Sequence, residues 1–197
     1  MYSSAEMNEM KKFFFYDYCN VSSFMKVESY NRDLYFSKVM PSLRYADSTA
    51  WILLECIDKL LKSQNCYQIE YTDVGIILIS DYGTLDTIHR FHDDAQNGFI
   101  SPLRFVASNP ASTVGFVCTY LNIHGPTLTL PTPLENCESI ISIMLQKWFK
   151  RQNLEHIIVA SLQKDQKNFT CKSILIKKDY QYKGYSDFAP EFFRKGE

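Results

Sequence analysis

An α/β fold, a mainly parallel sheet covered by helices, is predicted for this chain by three observations. Two segments carry a 3.6-residue apolar period: Ala50, Leu53, Leu54, Ile57, Leu60 and Leu61, then Ile140, Ile141, Met144, Leu145 and Trp148. Two short runs, Val74–Ile79 and 157–160, are apolar on successive residues, as central strands buried on both faces are. Helices and strands alternate along the chain, and 197 residues without a repeat or linker make one domain, 1–197.

Taken in order, the aromatic run Phe13 to Tyr18 predicts a short strand, and Ser22 to Leu43 has no period and predicts an irregular connection. The first strong helix follows Asp47 and Ser48, either of which can cap it. After the strand at Val74, Asp86 to Ala95 predicts a short helix. Ser108-Asn109-Pro110 predicts the start of another, because proline suits a first helical turn. Val114, Val117, Cys118 and Leu121 then share a face. His124-Gly125-Pro126 ends that helix and leads into β-prone Thr127–Leu130, closed by Pro131 and Pro133. The second strong helix spans about 136 to 149. The segment 168–178 is β-prone and predicts a hairpin partner for 157–160. The tail from Tyr180 to Glu197 is polar and aromatic, which suits a partner-docking segment.

Composition narrows the function. The formal charge is −1 with no basic run, so nothing points to nucleic acid. No apolar run reaches the length of a membrane span, and the N-terminus is polar, unlike a signal peptide. The six cysteines are scattered with no C-x-x-C, which suits a reducing, cytoplasmic setting and gives no metal framework. No nucleotide-binding loop is present, and no cofactor is expected.

Three local features carry candidate chemistry. His89-x-x-His92 with Asp93 and Asp94 has two-ligand spacing, but an exposed polar helix face is the simpler account. Ser139 and Ser142 lack a nucleophile-elbow context. Cys137 stands near a helix start, where the dipole favours a thiolate, and His124 or His156 could serve as its base. Glu135 and Glu138 flank it and oppose that effect by like charge, so a buried, inert cysteine is the simpler account.

Several short segments, in order, resemble β-ketoacyl synthases. Leu43-Arg-Tyr-Ala-Asp-Ser48 resembles the family's "LRRMD" helix start. Val74–Ile79 with Tyr82-Gly83 resembles its "VGVVVGT-x-YG" strand. Ile100-Ser-Pro-Leu-Arg-Phe105 and Asn109 to Gly115 resemble "SP-x-x-F" and "N-x-x-x-G", and Leu121 to Leu130 resembles "GP-x-x-T" before the catalytic cysteine. The resemblance implies half of a thiolase-like fold. It places the family's nucleophile at Leu134, which has none, and after position 160 the chain has no histidine to match the catalytic pair. No catalytic residue can therefore be assigned, and the resemblance is to a shortened chain-length factor, the non-catalytic subunit of type II polyketide synthases.

That resemblance implies a heterodimer with a catalytic ketosynthase, supplied by an acyl carrier protein and making an aromatic polyketide, an anthraquinone-type product included. It implies that Thr127, Leu128, Thr129 and Leu130 pair across the dimer. It also implies that Ile88, Phe91 and Ala95, on one helix face, point to the substrate tunnel, with Phe91 as the stopper. Half a layered fold leaves apolar faces open, so the subunit is expected to be unstable alone. A small acyl-transfer enzyme using Cys137 and a purely structural subunit are the alternatives.

Overall fold

The computed structural model describes residues 20–28, 46–63, 74–151, 154–165 and 168–178. Five strands form one sheet: β1 (Asn20–Val27), β2 (Val74–Ile79), β3 (Thr127–Leu130), β4 (His156–Asp165) and β5 (Asn168–Lys177), in the order β1-β5-β4-β2-β3. The three strands expected to be neighbours are neighbours, with β2 parallel to both β3 and β4. The remaining two pairings, β4 with β5 and β5 with β1, are antiparallel, so the sheet is mixed: a parallel part extended by a hairpin and an edge strand. β1 begins before, and runs into, the stretch expected to be irregular. The expected strand at 13–18 lies outside the described residues.

Alternation along β2 and β4 sorts the core into two layers. Ile76, Leu78, Ile158 and Ala160 face one side, under α1 (Ser48–Ser63) and α4 (Ala111–Leu121). Ile77, Ile79, Ile157 and Val159 face the other, under α5 (Glu138–Arg151). Every residue of β2 is buried, which explains why its sequence shows no alternation. Trp51 of α1 meets Phe116 of α4 edge-on, with ring centroids 4.7 Å apart.

Two further helices, α2 (Leu85–Gln96) and α3 (Pro102–Ala107), connect β2 to α4. The "SP-x-x-F" segment is thus a helix, with Ser101 as its N-cap accepting from the Arg104 N–H. Asn109 caps α4 through the Ala111 N–H at 2.9 Å. In α5, Ile141, Leu145 and Trp148 point inward as the period predicts, Met144 is partly buried and Phe149 joins them, but Ile140 does not: it is 43% exposed. A period fitted to five residues is satisfied one position too widely, and α5 buries a narrower stripe.

Asp47 ties the helical layer together. Its Oδ1 accepts from the Thr49 N–H (2.9 Å) and hydroxyl (2.8 Å), capping α1. Its Oδ2 accepts from the Thr87 N–H (3.2 Å) and hydroxyl, inside the first turn of α2. One buried carboxylate therefore satisfies orphan N–H groups of two helices. Asp47→Ala is expected to lower stability by about 3 kcal/mol, combining two cap losses of about 1 kcal/mol each with hydroxyls left unpaired. Urea unfolding measures it, and a loss below about 1 kcal/mol would show that water replaces the carboxylate.

Candidate interaction surface

Among the described residues β3 ends the sheet, and its hydrogen bonds fix which of its groups point outward. The Ile76 N–H donates to the Pro126 carbonyl and the Ser80 N–H to the Leu130 carbonyl, both at 3.0 Å. In a parallel ladder alternate residues bond to the same neighbour, so 126, 128 and 130 face β2. The N–H and C=O groups of Thr127 and Thr129 therefore point away from the sheet. Of the four residues expected to pair across a dimer, Leu128 gives its N–H to the β2 ladder and packs its side chain on the core under α5, so Thr127 and Thr129 hold the outward backbone groups.

The two edges of the sheet differ. β1 carries Lys26 and an irregular register between Val21 and Ser23, both features that discourage edge pairing. β3 is Thr-Leu-Thr-Leu, with no charge, proline or bulge. It is short, and its open edge is a template for another strand.

Ahead of α4 in the chain stands an exposed apolar segment. Phe99, Ile100, Leu103, Phe105 and Val106 are all exposed, with Ile100 at 68%. So many large apolar side chains on one short segment mark an interaction surface. An ion pair from Arg104 to Asp94 holds α3 against α2. The three expected tunnel residues lie on α2: Ile88 is exposed, whereas Phe91 and Ala95 are half-buried. Phe91 packs against Phe105, ring centroids 5.7 Å apart. The signal that locates this surface in the sequence is the run Phe99 to Val106, whose apolar residues exceed what a six-residue helix can bury.

The carboxyl ends of the parallel strands, where α/β sheets place their ligands, come together at Ile79, Leu130 and Ser161. After β3 the chain turns through Pro131 and Pro133 into a 3₁₀ turn, Leu134–Asn136. Leu134 is half-buried and packs on the α5 core. Cys137 is fully buried, and its thiol donates to the Pro133 carbonyl at 3.4 Å. Nearby, Tyr82 donates to Asp86 and accepts from Lys164 at 2.6 Å. Burial, then the Asp86 carboxylate, push the Tyr82 hydroxyl above its ordinary range, so it stays protonated at neutral pH. Burial likewise pushes the Cys118 thiol up to about 11. Among the described residues no three metal-ligating side chains converge. His89 and His92 are both exposed, and the His92 ring lies 2.9 Å from the Gln96 amide. Among the described residues no helix is long and apolar enough to cross a membrane.

No protein-family model matches the sequence, and no curated protein does. Solved structures do match the fold. A ketosynthase in complex with its chain length factor from Xenorhabdus doucetiae matches with a TM-score of 0.58 at 10% identity, over 82% of this chain and 79% of that one. The ishigamide ketosynthase/chain length factor matches with a TM-score of 0.60 at 12% identity, over 80% of this chain and 50% of that one. A β-ketoacyl synthase from Burkholderia phymatum matches with a TM-score of 0.57 at 8% identity, over 73% and 45%. The fold of the described residues is that of part of these thiolase-like proteins. The match spans half or less of the second and third of those chains, and most of the first.

Proposed function

We propose that this chain is a non-catalytic subunit of chain-length-factor type, which pairs with a catalytic ketosynthase and helps shape the cavity that holds its growing acyl chain. The observation that carries this reading is the character of β3 and the turn after it. Among the described residues the strand offers an open, uncharged edge, and the turn offers Leu134 and a fully buried Cys137 at the place where the sequence resemblance puts a condensing enzyme's accessible thiol. The exposed surface on α3 adds the apolar area that an obligate interface requires. The acyl carrier protein would meet the assembled pair, and the product would be an aromatic polyketide.

Co-expression with a candidate catalytic ketosynthase of the same organism, followed by size-exclusion chromatography, tests the pairing. A ketosynthase that elutes unchanged, without this chain, would overturn it.

The alternative reading, acyl transfer at Cys137, makes the opposite demand on one residue. Cys137→Ala is expected to cost about 1 kcal/mol of stability, as removing a small buried group does, and to leave product formation by the complex intact. Loss of product from an assembled complex would transfer the assignment to the enzyme reading.

Phe91 separates a tunnel role from a packing role. Being only half-buried, with Phe105 as its aromatic neighbour, it should lose about 1–2 kcal/mol on Phe91→Ala, less than a full core position. The expected result is an assembled complex that makes longer products, read by mass spectrometry. Unchanged product length at unchanged assembly would assign Phe91 to packing alone.

A further inference from the structure

Two buried thiols, 115 residues apart in the chain, meet between α1 and β5. The sulfur of Cys56, on α1, lies 3.5 Å from the Cys171 carbonyl oxygen, 3.2 Å from the Ser173 hydroxyl and 3.6 Å from the Met25 carbonyl oxygen of β1. Cys171 and Leu175 belong to the core under α1, so strand alternation puts Ser173 on that face as well. The Cys56 and Cys171 thiols are hydrogen-bonded to each other, and both residues are fully buried.

This contact lies beside an edge of the sheet. Val27, the last residue of β1, pairs with Cys171, and Met25 pairs with Ser173. Among the described strands β1 is an edge strand, and its register is irregular between Val21 and Ser23. Strand ends at an edge open at lower free energy than a central strand does. The end of β1 is therefore the route by which a small reagent reaches the pair.

The two sulfurs are not equivalent. The Cys171 thiol donates to the Cys56 sulfur, which holds the Cys56 thiol below its ordinary value and keeps Cys171 well above its own. Cys56 is thus the sulfur that ionises first, and the thiolate is the nucleophile. Burial pushes Cys118 the other way, and the Cys137 thiol is engaged with the Pro133 carbonyl.

We propose that Cys56 and Cys171 form a peroxide-responsive dithiol switch that tethers α1 to β5. The Cys56 thiolate attacks one oxygen of hydrogen peroxide, the O–O bond breaks, and the released hydroxide leaves as water with the proton that Cys56 gave up. The Cys171 sulfur then attacks the sulfur of the Cys56 sulfenic acid. The S–S bond forms, the S–O bond breaks, and a second water leaves with the Cys171 proton. Two thiols and one peroxide give one disulfide and two waters, the sulfurs losing two electrons and the peroxide gaining them. The bridge closes a loop of 115 residues, which restricts the unfolded chain and should raise the thermal midpoint by at least about 5 °C. This chemistry is independent of any ketosynthase partner.

The test treats the full chain, reduced and then freed of reductant, with about one equivalent of hydrogen peroxide. Remaining thiols are blocked with N-ethylmaleimide in denaturant, and tryptic peptides are mapped by mass spectrometry without reductant. Peptide 45–59 should be joined to 168–172 with the loss of two hydrogens, at least about ten-fold above any other cysteine pairing, and dithiothreitol should release it. Cys171→Ser should leave a sulfenic acid on Cys56 that dimedone traps. Cys56 and Cys171 recovered only as maleimide adducts, a bridge only between copies, another pairing in its place, or oxidised protein that melts no higher than reduced protein would each overturn the proposal. Those four outcomes are read on the parent chain, so they decide it whether or not the variant folds.

Discussion

Thr129→Pro is expected to abolish assembly with the proposed ketosynthase partner without unfolding the sheet. The Thr129 N–H points away from β2, because the bonds at Pro126 and Leu130 assign the even-numbered residues to the β2 ladder. Proline there removes a donor that only an added strand would use, and edge positions of that kind tolerate proline. Leu128→Pro should do the reverse. It deletes a donor to β2 beside a fully buried strand, at a cost of about 3 kcal/mol or more, and should prevent folding. Circular dichroism and size-exclusion chromatography on both variants separate the two effects. A Thr129→Pro subunit that still co-elutes with the ketosynthase would rule out strand pairing at β3 as the basis of the complex.

Gly125→Ala should destroy the fold, and Gly115→Ala should stabilise it. A Cβ on Gly125 would stand 1.9 Å from the Val74 carbonyl oxygen and 2.5 Å from its carbon. Both are backbone atoms at the start of the central strand, so no side chain can swing away, and β3 would have to separate from β2. The expected loss exceeds about 4 kcal/mol, beyond the range of ordinary substitutions. A Cβ on Gly115 meets nothing within 4 Å in the middle of α4. There alanine should gain about 1 kcal/mol through helix propensity alone. Thermal unfolding reads both, and a cooperative transition in Gly125→Ala near that of the parent would refute the close approach.

Local pattern was enough for the elements whose environment is uniform. β2 is apolar at every position because both of its faces are covered, and the α1 residues that repeat at the helical period are all buried, together with Trp51, Ile52, Glu55 and Cys56 between them. Asp47 and Asn109 were legible as helix starts because a cap is a contact between near neighbours. The second role of Asp47, at Thr87, was not, since it joins residues forty apart. β1 was missed for a related reason: its partner β5 lies at the far end of the chain, and pairing of that kind leaves little trace in a strand's own sequence.

The candidate surface divides in the same way. The sequence by itself determined the apolar character of Phe99 to Val106, the uncharged Thr127–Leu130, and the leucine at position 134. Only the tertiary structure decided that the first group is exposed, that the strand is an edge with Thr127 and Thr129 outward, and that Ile140 is excluded from the core. The physical reason is that residue type sets the free energy of leaving water, which is local, whereas exposure depends on what other segments cover, which no single stretch of sequence encodes.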